Sequence, residues 1–295
     1  MLETRVSGEH STNPGTEFIS GTINVATDEA GLNVVPVHFT YVTATYAKSD
    51  KANPNFTTLK NIISNGKTWA VNGKDEATMV KIEGSLGLNE FYVKENDEDR
   101  LVSNKTNEGS FINIINELPD ESERTKFTTD MVITRIKTVE ADEEKKTDEY
   151  VVLDGAIFNF RNEILPLEYV VKNPAGMSYF TSLDLTDEPV YTKVWGKINC
   201  STISNTVTEE SAFGEASVRT FEKRVREWIV TGCSKEGYAY GEEEILTPAD
   251  IQTAMGNRNV ALAEMKKRSE EYKANAATNK AAPAAPKAKA GGFNF

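Results

Sequence analysis

The sequence predicts a mostly β chain of two tandem barrels, followed by a C-terminal α-helix and a disordered tail. The first observation behind this prediction is a repeat. A glycine-bearing strand, a polar turn and a strand that opens on an apolar-Pro-apolar triplet occur twice, and a further glycine-bearing strand follows each copy. The repeat is carried by Gly21, Pro36 and Gly84 and, in the second half, by Gly155, Pro166 and Gly196. The second observation is that short alternating segments separated by turn residues fill both halves, as in β sandwiches and barrels.

Composition divides the chain into six stretches. We expect a flexible N-terminus at 1–16, a first β domain at 17–118, a linker at 119–126, a second β domain at 127–241, an amphipathic helix at 247–274 and a disordered tail at 275–295. The tail consists largely of Ala, Pro and Lys and cannot bury a core.

The first β domain contains one helical segment and several alternating strands. Apolar residues at spacings of three and four predict a helix from Phe56 that ends before Gly66. Period-two alternation places Phe39 and Tyr41 on the same side of their strand as Val37, which favours the core for both aromatic rings.

In the second β domain we interpret residues 177–185 as one of the strands. The helix that follows this domain has a clear start. Thr247 is suited to the N-cap, Pro248 to the first helical position and Asp250 to the third.

The bulk charge limits the classes of function. A net charge of −12 and a pI of about 4.9 argue against a protein that coats nucleic acid with its whole surface. The acid is concentrated in runs such as 140–149, which leaves room for local basic faces. With no signal peptide and no apolar run near the roughly 20 residues that cross a bilayer, we expect a cytoplasmic protein without membrane contact.

The sequence offers no catalytic motif. Its two histidines, His10 and His38, and its two cysteines, Cys200 and Cys233, lack the spacing of a metal site. Gly66-Lys67-Thr68 resembles the end of a phosphate-binding loop, but the earlier glycine is missing and the tripeptide follows a helix. We therefore expect no enzyme, no metal and no cofactor, with both cysteines as free thiols.

One strand is the best candidate for a binding face. Alternation along residues 190–198 directs Tyr191, Lys193, Trp195 and Lys197 to the side opposite Val194. Rings that stack on bases and ammonium groups that neutralise phosphates are what a single nucleic-acid strand requires. The alternative for Trp195 is that its ring packs under a loop or between domains.

Nearby aromatic and basic residues extend this candidate face. Phe158 and Phe160 share one side of their strand and precede Arg161, and Arg135 and Lys137 share a side of another strand. The densest basic stretch consists of Arg219, Lys223, Arg224 and Arg226.

Taken together, these features resemble the single-stranded DNA-binding proteins of bacterial viruses. The resemblance is carried by the glycine-bearing strands at Gly155 and Gly196, the aromatic and basic face at residues 191–197, the acidic pI and a low-complexity tail that ends in Phe295. It implies two OB-like barrels, a role in replication or recombination in the host cytoplasm, and a tail that recruits partner proteins. Phe293 and Phe295 would then be the docking residues, although this tail carries lysines where the family's tails are acidic.

The leading hypothesis is thus sequence-independent binding of single-stranded DNA. The main alternative is a non-enzymatic structural or assembly protein, a viral one included, in which paired β domains make protein–protein contacts; exposed aromatic residues suit such interfaces equally well. The oligomeric state, the preference for DNA or RNA and the contribution of the first domain stay open.

Overall fold

The computed structural model describes residues 1–9, 11–46, 49, 51–96, 98–142, 147–186, 188–209, 213, 217–240 and 246–280. The chain is mostly β, as the sequence predicts: it forms two main sheets, one of them a closed five-stranded barrel, with few helices and a long C-terminal one.

The first half forms a five-stranded sheet. Its elements are β1 (Glu3–Val6), β2 (Glu17–Ala26), β3 (Val34–Thr43), α1 (Pro54–Asn65), α2 (Trp69–Asn72), β4 (Val80–Glu95) and β5 (Glu98–Ile114). The strand order is β1-β2-β3-β5-β4, with β3 and β5 parallel and the other neighbours antiparallel. Helix α1 covers the inner face, where Phe39, Phe56, Leu59 and Ile112 are buried together.

The second half forms the closed barrel. After a 3-10 turn (Glu121–Glu123), its elements are β6 (Lys126–Val139), β7 (Tyr150–Phe158), β8 (Ile164–Val171), α3 (Pro174–Thr181), β9 (Val190–Asn199), β10 (Thr202–Glu209), β11 (Ser217–Arg224), β12 (Glu227–Cys233) and α4 (Pro248–Lys280). The barrel order is β12-β8-β7-β6-β9, closed by pairing of β9 with β12, while β10 and β11 form a separate hairpin.

The two halves share one topology. In the first half β3 pairs in parallel with β5, and in the second half β8 pairs in parallel with β12, the fifth strand of the barrel when the β10–β11 hairpin is left out. In each half a helix lies between the third and fourth of these strands. Both helices begin in the same way, with an asparagine N-cap before a proline, at Asn53 and Asn173. The halves differ in closure: the second closes into a barrel, whereas the first sheet has β1 and β4 as its outer strands, so the prediction of a barrel holds for the second half.

Three local expectations need correction. Residues 177–185 are not a strand, because Asn173 caps a helix, α3, that runs to Thr181. Tyr41 lies on the outer side of β3, since a β-bulge opposite Ser20 shifts the register between Phe39 and Val42. Helix α4 begins at Pro248, directly after Thr247, whose backbone N–H and side-chain hydroxyl donate hydrogen bonds to Asp250. The helix continues beyond residue 274 to Lys280.

The β4–β5 hairpin packs against the barrel. Leu86 and Leu88 contact the barrel core, and the indole Nε1–H of the buried Trp228 donates a hydrogen bond to Asn107 Oδ1 at 3.3 Å. At the β2–β3 turn, the Cys200 N–H donates to Asn33 Oδ1 at 2.7 Å. Hydrogen bonds and apolar burial therefore join the two halves.

Helix α4 lies across both halves. Its first turns place Ile251 and Ala254 against the outer side of the barrel, where Val132, Ala156 and Ile164 are buried. Further along, Arg258 pairs with Glu90 of β4, and both side chains are largely buried. This helix covers the outward face of β7 and β8 at its Ala156–Ile164 end.

Candidate nucleic-acid interface

Strand β9 presents Trp195 on the outside of the barrel. Thr192, Val194 and Gly196 point inward and are buried, so the alternate residues must point outward. The Trp195 side chain is 42 % exposed. Its indole rests on Gly232 of β12, where a Cβ would lie only 2.4 Å from Trp195 Nε1. The ring is thus supported from below by backbone.

Lysines flank this ring on the same strand. We call Lys193, Trp195 and Lys197 the β9 strip. Lys193 Nζ lies 4.0 Å from Asp130 Oδ1, the limit of an ion pair, and that oxygen also accepts a hydrogen bond from the Tyr238 hydroxyl at 2.8 Å. Among the residues that the structure describes, no carboxylate lies within 4.0 Å of Lys197 Nζ. The strip therefore offers one aromatic surface and a cation that is free to meet a phosphate.

Tyr191 does not extend the β9 strip as an open surface. Its ring centroid lies 4.7 Å from that of Tyr238, and it packs with Tyr240 beside the first turns of α4. Burial, with Asp130 nearby, raises the pKa of the Tyr191 hydroxyl. Phe158 packs into the same cluster. Alternation correctly places Tyr191 outside the barrel, but the chain that follows β12 covers it.

Phe160 and Arg161 lie in the β7–β8 turn, away from strand β9. Phe160 is 89 % exposed, and the Arg161 guanidinium carbon lies 5.1 Å from its ring centroid. Asn159 shapes the turn, since its side-chain oxygen accepts hydrogen bonds from the backbone N–H groups of Arg161 and Glu163. This second aromatic and basic pair is separated from Trp195 by strand β6 and the helix-covered cluster.

Arg135 and Lys137 share an outer side of β6, as predicted, but both are paired. Arg135 lies 2.6 Å and Lys137 2.8 Å from the same oxygen of Asp154. Burial alone would raise the pKa of Asp154; the hydrogen bonds from Lys137 and Arg135 outweigh it and hold that pKa below its usual value. A phosphate would have to compete with Asp154 for these two cations.

The remaining predicted residues divide between β11 and the tail. Arg219 and Lys223 lie on β11, opposite Val207 and Ile203 of β10. Arg224 and Arg226 are exposed at the base of this hairpin. Phe293 and Phe295 lie outside the described residues.

One aromatic pair lies where the sequence did not predict it. Phe18 of β2 and Tyr41 of β3 stack on the outer side of the first sheet, with ring centroids 4.5 Å apart. Tyr41 is 44 % exposed, and its hydroxyl lies 3.0 Å from Ser7 Oγ. The only sequence signal was the glycine at position 21, which is common beside a bulge.

Two further properties concern the described residues alone. They hold no cluster of three or more His, Cys, Asp or Glu side chains arranged to bind a metal ion. No helix within them is long and apolar enough to span a membrane.

Comparison with known proteins assigns the family. The model of the YorF family matches residues 3–268, which is most of the chain. The chain belongs to the YorF family. No curated protein matches this YorF member.

A solved structure similar to this YorF chain is a deletion mutant of the single-stranded DNA binding protein from Thermus aquaticus. The identity is 11 %, the match covers 82 % of this chain and 92 % of the other, and the TM-score is 0.40.

Proposed function

We propose that this protein binds single-stranded DNA without sequence preference and without catalysing a reaction. The observation that carries the proposal is the β9 strip, in which an exposed indole, supported by Gly232, stands between two lysines on a strand whose other side is core. Bases of any identity stack on such a ring, which is worth about 1–3 kcal/mol per base, and the lysines neutralise the flanking phosphates.

The acidic bulk of the protein supports a localised interface. With a net charge of −12, the protein as a whole repels a polyanion, so binding requires a place where cations lack acidic partners. Lys197 is such a cation on the β9 strip, whereas Arg135 and Lys137 both pair with the carboxylate of Asp154. We extend the proposal, on the resemblance noted in the sequence, to replication or recombination of a bacterial virus in the host cytoplasm, with Phe293 and Phe295 as docking residues for partner proteins.

The test is a fluorescence titration with oligo-dT. Trp228 is buried and Trp69 packs against Gly31, so Trp195 is the indole most accessible to a base. We expect quenching that Trp195→Ala abolishes, together with a loss of affinity of about 5- to 150-fold, the equivalent of about 1–3 kcal/mol. Trp69→Phe is the matched control and should leave the affinity unchanged. Absence of quenching and of binding at low salt would refute the proposal.

A second candidate function is assembly through protein–protein contacts. It is favoured by large apolar side chains that are exposed far from the β9 strip, among them Phe160 at 89 % and Phe111 at 54 %. Under this alternative, Phe111→Ser with Phe160→Ser changes the sedimentation coefficient of the protein, and oligo-dT leaves its fluorescence unaltered.

A further inference from the structure

A cleft separates the first sheet from the base of the β10–β11 hairpin. It has a volume of about 190 Å³. The first sheet contributes Asn24, Val34 and Pro36 to its lining, and the base of the β10–β11 hairpin contributes Cys200, Ser201, Thr202, Arg224, Val225 and Arg226. The two arginines are exposed, and among the described residues no carboxylate lies within 4.0 Å of either guanidinium group. Two uncompensated cations thus stand together in an otherwise acidic molecule.

The cleft is continuous with the outer face of β2 and β3, which we call the β2–β3 face. Asn24 and Pro36 are paired across these strands at the cleft, and Thr22 and His38 are the next outward pair. Phe18, stacked on Tyr41, lies at the far end. Asn24 lies six positions after Phe18 in β2, a distance of about 20 Å along the strand.

The β2–β3 face carries no acidic side chain. Its outward residues are Phe18, Ser20, Thr22 and Asn24 from β2 and Pro36, His38, Tyr41 and Thr43 from β3. Glu108 of β5 pairs with His38 in the parallel register, but its side chain packs against Gly87 of β4, on the side away from β3. The β2–β3 face therefore presents aromatic, hydroxyl, amide and imidazole groups from the cleft with the two arginines to Phe18 at its far end.

We propose that the cleft and the β2–β3 face form a second binding surface for single-stranded nucleic acid. Arg224 and Arg226 contact phosphates, and Phe18 and Tyr41 stack on bases. This inference rests on the proposed function, because it assigns to the first sheet a further stretch of the same strand that the β9 strip holds. Charge selects the occupant: two guanidinium groups without acidic partners, beside a β2–β3 face whose outward residues are all uncharged or histidine, fit a chain of phosphates.

The experiment measures the salt dependence of oligo-dT binding for two charge-matched double variants. The logarithm of the affinity falls as the logarithm of the salt concentration rises. Each phosphate that contacts a cation without an acidic partner makes this slope steeper by about 0.7. Arg224→Ala with Arg226→Ala should lower the slope for an oligomer of about 30 nucleotides by about 1.4. Arg135→Ala with Lys137→Ala removes the same charge, but both cations already pair with Asp154, whose carboxylate offsets one of the two charges, so the slope should change by less. Equal changes in both variants, or no change in the first, would overturn the inference.

A second pair of measurements separates this surface from the β9 strip. With an oligomer of about 5 nucleotides, which occupies one surface, quenching of Trp195 should be the same in the wild type and in the Arg224→Ala, Arg226→Ala variant. Phe18→Ala with Tyr41→Ala should weaken binding of the longer oligomer by at least about fivefold. If Trp195 is quenched and neither double variant affects the longer oligomer, the inference fails and the proposed function stands. If no oligomer binds, both fail.

Discussion

Replacing Gly232 by alanine tests whether the position of the Trp195 indole matters for binding. A Cβ at position 232 would lie 2.4 Å from Trp195 Nε1, 2.6 Å from Cε2 and 2.8 Å from Cζ2. Ordinary contacts between such atoms are about 3.5 Å or longer, so the ring must move by about 1 Å or more. Because Trp195 is on the outside of the barrel, the ring can move into solvent and the core stays intact.

We expect Gly232→Ala to weaken oligo-dT binding by about fivefold, about 1 kcal/mol, the lower end of the energy of one stacked base. The emission maximum of Trp195 should shift to longer wavelength, since the ring loses the backbone beneath it. Fluorescence titration and a thermal melt measure affinity and stability on the same sample. Gly256→Ala in α4 is the matched control, because a Cβ there meets nothing within 4 Å.

The reasoning is refuted if Gly232→Ala has the emission spectrum and the affinity of the wild type. It is also refuted if Gly256→Ala weakens binding to the same extent, because the effect would then not come from the indole.

Three further predictions concern stability. Tyr169→Phe should raise the free energy of unfolding by about 1 kcal/mol in urea denaturation, because the buried Tyr169 hydroxyl has no hydrogen-bond partner among the described residues. Ile251→Asp should release the first turns of α4 from the barrel, seen as faster protease cleavage and faster amide exchange near that residue. Asp154→Asn should reduce the loss of thermal stability that accompanies acidification from about pH 5 to about pH 2. The pKa of Asp154 is lower in the folded protein than in the unfolded chain, where it is about 3.9. The ionised carboxylate therefore contributes to stability above about pH 3.9, and this contribution is lost as the pH falls through the folded pKa.

Local patterns were sufficient for much of the fold. Period-two alternation predicted the strands of the barrel and the outward direction of Lys193 and Trp195, because each depends only on a strand with one buried side. The start of α4 was predicted from Thr247 and Asp250, since a capping interaction spans one turn.

The misses come from interactions between distant residues. Tyr191 is covered by Tyr240 and α4, which come some fifty residues later in the chain. The residue pattern of β9 itself gives no indication of this contact. Tyr41 points outward because one residue of β3 is bulged opposite Ser20, and a shift of one residue exchanges the two sides of a strand. The pairing of Arg135 and Lys137 with Asp154 likewise required the register between β6 and β7.

The parallel contact between β8 and β12 has a consequence for synthesis on the ribosome. Ile229 of β12 pairs with Val170 of β8, and Trp228 completes the cluster around Tyr169. A nascent chain that has emerged only as far as the β10–β11 hairpin therefore has four barrel strands and an unfilled seam between β8 and β9. We therefore expect the apolar interior of the barrel to stay accessible to chaperones until Cys233 has left the exit tunnel, and a chain terminated within the hairpin to be degraded.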